Sequence, residues 1–130
     1  MYSKDDANAY YARDPIDGAD VKTFEPLKGG YAKDRNFAYY KGKRIEGVKV
    51  KHFKYYGSNP YDTNVDGIYG TDEYATDGKN VYCNGKKLEG CHAPSFRLTL
   101  RDLREISVHK YYAEDRNNIY GCNGSVKSKK

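Results

Sequence analysis

YAKDRNFAYYKGKRIEG, Tyr31 to Gly47, reads as three short strands hinged by two tight turns. Asp34 and Asn36 flank the first reversal, where short polar side chains bond nearby backbone N–H groups and tolerate left-handed dihedrals. Ala38-Tyr39 supplies β-favouring bulk for the second strand. Lys41-Gly42 makes the second turn, as Asn84-Gly85 does later in the chain, because such a step takes the positive φ of a type I′ hairpin. Ile45 points to a core from the third strand, and Gly47 ends it.

The pattern returns along the chain. With Tyr31 as zero, Asp34 stands at +3, Tyr39 at +8, Ile45 at +14, Gly47 at +16 and Phe53 at +22. From Tyr2 the same offsets give Asp5, Tyr10, Ile16, Gly18 and Phe24; from Tyr74 they give Asp77, Tyr82, Leu88, Gly90 and Phe96. A copy from Tyr112 gives Asp115, Tyr120 and Val126, and a faint one keeps only Tyr61 and Tyr69. Self-similarity at a period of about 30 residues marks a repeat architecture. The expected fold is mainly β, a single domain over 1–130 of repeated antiparallel hairpin or meander units with one or two short helices. The units run over about 2–30, 31–56, a degenerate 61–73, 74–97 and 112–126, with 98–110 as an insert.

Three stretches carry their own expectations. Between the Gly and the Phe of each unit, Asp20 or Pro94 suits a short helical turn whose Phe plugs the layer between units, although Val48-Lys49-Val50-Lys51 alternates as a strand would. In the insert, Leu100, Leu103 and Ile106 are spaced for one face of a short helix, with Thr99 and Asp102 near its start. Residues 57–73 are rich in turn dipeptides and read as a mobile loop or a degenerate hairpin.

DRNFAYY at Asp34 to Tyr40, the KGKRIEG that follows and GADVKTF at Gly18 to Phe24 resemble the repeat of the bacterial DKNYY family over nearly the whole chain. The chain departs from that pattern at Cys83 and Gly121, where the second Tyr is lost, and in the insert Leu98 to Lys110. The resemblance implies a bacterial or phage origin and a β-rich repeat fold, and implies little about function.

Fifteen tyrosines and no tryptophan, in a chain only 38% hydrophobic, leave much of the packing to Tyr rings whose hydroxyls reach water or a partner. No apolar run approaches the ~20 residues that span a bilayer, so membrane insertion is not expected. Neither GxGxxG nor GxxxxGK[ST] occurs, the DxN turns lack the pattern of a calcium loop, and His52, His92 and His109 have no nucleophile at a triad spacing. The expectation is a non-enzymatic protein without a cofactor. Cys83, Cys91 and Cys122 read most simply as small buried hydrophobes; a Cys3His zinc site with His92 lacks any CxxC clip, and a disulfide such as Cys83–Cys122 is the third reading. Met1-Tyr2 leading into the first repeat and an odd cysteine count favour the cytoplasm; a secreted or lipid-anchored protein is the alternative if a leader was removed.

Net charge is +5, and Lys41, Lys43, Arg44, Lys49, Lys51 and Lys54 face the single acid Glu46, between Tyr39, Tyr40, Tyr55 and Tyr56. Such a run could meet an acidic protein, track a nucleic acid, or form a solvated strand face that guards an edge. The reading adopted is a protein-binding module, an immunity-type or phage anti-defence inhibitor docking on an acidic surface of a bacterial effector such as a nuclease. Its contacts are expected at Lys49, Lys51, Tyr55, Tyr56, Tyr61 and Tyr69, with Arg101 and Arg104 on the insert, because Tyr and Arg dominate binding energies. The alternatives are nucleic-acid binding through Lys41–Lys54 and a secreted or surface structural module.

Overall fold

The computed structural model describes residues 1–62, 69–103, 108–122 and 126–128, with the backbone alone for 59–62, 69–71, 99–103 and 108–112. Four antiparallel sheets follow one another along the chain. The first holds β1 (Tyr2–Lys4), β2 (Ala9–Tyr11) and β3 (Asp14–Pro15); the second holds β4 (Glu25–Pro26), β5 (Tyr31–Lys33), β6 (Ala38–Tyr40) and β7 (Lys43–Ile45). The third holds β8 (Lys54–Asp62), β9 (Tyr69–Thr76), β10 (Val81–Cys83) and β11 (Lys86–Lys87). The fourth holds β12 (Arg97–Leu103), β13 (Val108–Glu114), β14 (Asn118–Tyr120) and β15 (Val126–Ser128). Each sheet is a meander in chain order, as the mainly β expectation requires.

Alternation along each strand sends successive side chains to opposite faces, and this arranges the core. In the second sheet Tyr31, Ala38 and Ile45 share one face with Phe53 and pack against Ala75 and Tyr82 of the third sheet. The opposite face presents Ala32 and Tyr39 to Ala9, Ile16 and Phe24 of the first unit. Tyr74, Val81, Leu88 and Phe96 repeat the arrangement against Ala113 and Tyr120. Every joint therefore takes the residues at 0, +7, +14 and +22 from one unit and those at +1 and +8 from the next. The expected plug is present: Phe24, Phe53 and Phe96 are all buried, and 3-10 turns at Val50–His52 and Ala93–Ser95 precede the last two. Those two turns are the short helices among the described residues; in the first copy the segment is a hydrogen-bonded turn closed by Thr23 N–H on the Asp20 carbonyl.

The described residues of the insert, 98–103 and 108–110, are strand where a helix was expected. Arg97 to Leu103 pairs with Val108 to Glu114 in unbroken register, Leu100 opposite Tyr111 and Leu103 opposite Val108. Leu98-Thr99-Leu100 alternates, and the facing Val108, Tyr111 and Tyr112 are β-favouring residues, so pairing outweighs the helical spacing of the leucines. Residues 57–62 and 69–73 lie within the hairpin of β8 and β9, with a bulge between Tyr55 and Gly57; the remainder of the expected loop, 63–68, lies outside the described residues.

Candidate functional site

The Asp at +3 does the same work in the four units that keep it. Its Oδ1 accepts the backbone N–H groups two and three residues on: Ala7 and Asn8 for Asp5, Asn36 and Phe37 for Asp34, Lys79 and Asn80 for Asp77, Asn117 and Asn118 for Asp115. Oδ2 takes the hydroxyl of the Tyr at +8, at 2.9 Å from Tyr10, 2.8 Å from Tyr39, 3.5 Å from Tyr82 and 2.6 Å from Tyr120. In the last three units it also accepts a backbone N–H from the unit before, those of Asp20, Lys49 and His92. Burial opposes ionisation of Asp115, yet these four donors outweigh it and hold the carboxyl at about 2. Burial and the facing carboxylate together push the Tyr120 phenol up to about 12.

The other edge of the first two joints is closed by the first Tyr. Tyr2 donates its hydroxyl to the Gly30 carbonyl and accepts from Gly42 N–H; Tyr31 does the same with the Glu73 carbonyl and Gly85 N–H. Tyr11 lies over Gly42 and Tyr40 over Gly85, so close that a Cβ on either glycine would stand 2.7 or 2.8 Å from the Tyr Cβ. At the third joint the corresponding place holds Cys83 bonded to Cys122. The reading of these two cysteines as small buried hydrophobes is thereby corrected: buried Cys83 replaces a Tyr and meets a cysteine of the next sheet. Cys91 is a buried free thiol, pushed up to about 12 by burial first and by the Asp115 charge second. The Cys3His grouping is not assembled, since His92 Nδ1 lies 2.7 Å from Ser95 Oγ and the cysteine pair gathers Asp72 instead.

A hollow lies at the turn edge of the second joint. It has a volume of about 660 Å³ and is lined by Lys33, Lys49, Lys51, His52, Phe53, Lys54, Asp77, Gly78 and Lys79. Five lysines thus surround one acid, and that acid is 2% exposed and already holds three backbone N–H groups. Lys33 Nζ donates to the Phe53 carbonyl at 2.9 Å, which pins it at the rim. A smaller hollow of about 390 Å³ adjoins along the same edge, sharing Lys33 and Lys51 and adding Arg35, whose Nε pairs with Asp20 at 3.1 Å.

The residues expected to form one partner face are therefore divided. Lys49 and Lys51 line the hollow. Tyr55 is half-buried against the core of the second joint, where it donates to Glu73 Oε2 and packs beside Tyr31; Tyr56 stays exposed, its hydroxyl donating to the Phe96 carbonyl and its ring edge-on to Phe96. Tyr61 and Tyr69 sit at the far end of the β8–β9 hairpin, where Tyr61 pairs with Gly70 and Tyr69 with Asp62. Eight residues of strand separate Lys54 from that end, about 25 Å at the ~3.3 Å rise of a strand. Arg101 lies in β12 opposite Lys110, and Arg104 is outside the described residues. The basic run divides as well, with Lys41 over the Tyr40 ring and Arg44 over Phe37. Lys33 and Lys79 went unread because nothing local marks them; stacking alone brings units two and three together around the hollow.

The model of the DKNYY family matches residues 2–124. No curated protein and no solved structure matches the chain.

Proposed function

The chain belongs to the DKNYY family, and from that premise we propose a non-enzymatic binding module that docks on an acidic protein surface through the hollow at its second joint. The observation that carries this reading is the gathering of Lys33, Lys49, Lys51, Lys54 and Lys79 around a single internally bonded Asp77. Unopposed charge of one sign in a concavity steers an oppositely charged partner and penalises the wrong one. The partner is an effector, such as a nuclease, whose acidic surface the module covers and so inhibits. Nucleic acid is the weaker occupant: single-strand binding wants rings free to stack on bases, and Tyr55 is packed against the core of the second joint while Tyr56, though exposed, is tied by its hydroxyl to the Phe96 carbonyl.

The test is capture from a bacterial lysate, with and without nuclease treatment, by the wild type and by a Lys49→Glu/Lys51→Glu/Lys79→Glu variant of unchanged circular dichroism. Expected is one dominant protein that survives nuclease treatment and is lost with the variant. Material that vanishes on nuclease treatment would transfer the hollow to nucleic acid, and equal capture by both proteins would remove it from the interface.

The Cys83–Cys122 bond favours a second reading for the compartment, a secreted or surface-held module, since disulfides persist in oxidising surroundings. Thiol counting on protein trapped in its native host with an alkylating reagent checks it. One reactive thiol after denaturation fits export, and three fit the cytoplasm.

A further inference from the structure

The third joint departs from the first two in more than its cysteines. Two residues before the opening Tyr, the second unit has Gly29 and the third has Asp72, a carboxylate introduced beside the position where Cys83 replaces Tyr40. The carboxylate and both sulfurs lie within 4.8 Å of one another. Asn84 Nδ2 donates to Asp72 Oδ1 at 3.0 Å, and Asn84 Oδ1 in turn accepts Glu73 N–H at 2.9 Å, so the acid is held by a side chain that is itself fixed. A disulfide gains nothing from an adjacent carboxylate, whereas two thiolates and a carboxylate repel unless a cation joins them. Two Cys and one Asp are ligands that Zn²⁺ accepts in four-coordinate sites with a position left for water. An amide bonded to the ligating carboxylate is the outer support such ligands use. Asp72 and Cys122 are half-buried, which leaves a path for the ion, while Cys83 is fully enclosed.

We propose that, once the Cys83–Cys122 bond is reduced, Cys83, Cys122 and Asp72 bind one Zn²⁺ with water as the fourth ligand. A dithiol reductant supplies two electrons and two protons, becoming a cyclic disulfide as the Cys83–Cys122 bond opens to two thiols. Zn²⁺ then displaces both thiol protons to solvent as two zinc–sulfur bonds form. The third joint is closed covalently in an oxidising compartment and by metal in a reducing one. Cys91 takes no part, because its thiol is enclosed beside Asp115 and Tyr120.

Full-length protein reduced with a phosphine under argon and titrated with Co²⁺ tests this, reading thiolate-to-cobalt charge transfer in the near ultraviolet and tetrahedral bands in the visible. Expected is one equivalent bound, displaced by Zn²⁺ and absent from the oxidised protein. Cys122→Ser should abolish the charge-transfer signal and Cys91→Ala should keep it. Asn84→Ala, which removes the amide that supports Asp72 and with it the acceptor of Glu73 N–H, should weaken Zn²⁺ binding by about tenfold or more in a protein of unchanged circular dichroism. A reduced, folded wild type that takes up no Co²⁺ overturns the proposal, as does a charge-transfer band that survives Cys122→Ser. Unchanged Zn²⁺ affinity in Asp72→Asn would remove the carboxylate and leave no site as proposed.

Discussion

At the scale of a residue, the repeated Asp is where one side chain carries both a turn and a joint. Asp34 accepts three backbone N–H groups and a phenol, and burial of the carboxyl is outweighed by those donors, so its pKa is lowered. Asp34→Ala removes the acceptor and leaves those donors unmet; at about 1–3 kcal/mol for each group left buried, a loss of at least about 3 kcal/mol is expected in urea unfolding. Asp115, held at about 2, gives the pH dependence its sign. A carboxyl whose folded value lies below its unfolded value of about 3.9 contributes fully above that pH, and its contribution fades as pH falls towards the folded value. Stability should therefore fall between about pH 4 and pH 2. Asp115→Asn should be less stable at pH 7 and should flatten its share of that fall. A variant with the wild-type acid limb would show that Asp115 is not among the groups that set it.

At the scale of an element, the hairpin turn of each unit is shaped by the neighbour that lands on it. Gly42 has φ +80° and lies under Tyr11, while Gly47 has φ +74° and nothing within 4 Å of where a Cβ would be. Gly47→Ala meets only the left-handed backbone cost of about 1–2 kcal/mol. Gly42→Ala adds a collision with Tyr11 and disturbs the N–H bond to Tyr2, so it should cost about 2 kcal/mol more. Equal midpoints for the two variants in thermal melts would mean that Tyr11 yields freely. The turns were legible in the sequence because Asp-x-Asn and Lys-Gly act locally, and the period was legible because the residues at 0, +8, +14 and +22 return to the same places in each joint. The insert was misread because Leu100 and Leu103 fit a helix as well as a strand, and only the pairing with Val108 to Glu114 decides between them. The hollow was half legible: Lys49 and Lys51 stood in a visible run, but Lys33 reaches it from another strand and Lys79 from another unit, and Tyr55 is drawn inward by a partner 18 residues away.

At the scale of the molecule, each of the three core clusters among the described residues joins units that are neighbours in sequence, so stability should be a sum over units and joints rather than one indivisible term. The joints are not alike. The first two are held at the hairpin edge by Tyr hydroxyls and by Tyr on Gly, the third by Cys83–Cys122 across a separation of 39 residues. Closing a loop of that length is worth about 4 kcal/mol in the chain-entropy account, concentrated where the bond lies. Reduction in the presence of a chelator, which keeps any metal from taking over the joint, should therefore act unevenly. Amide hydrogen exchange should quicken at Ala113, Asp115 and Tyr120, on the fourth sheet's side of the third joint. Ala32 and Tyr39, which close the first joint, should keep their protection. Uniform quickening would mean that the stack opens as one body, and the nearest-neighbour description of this chain would have to be given up.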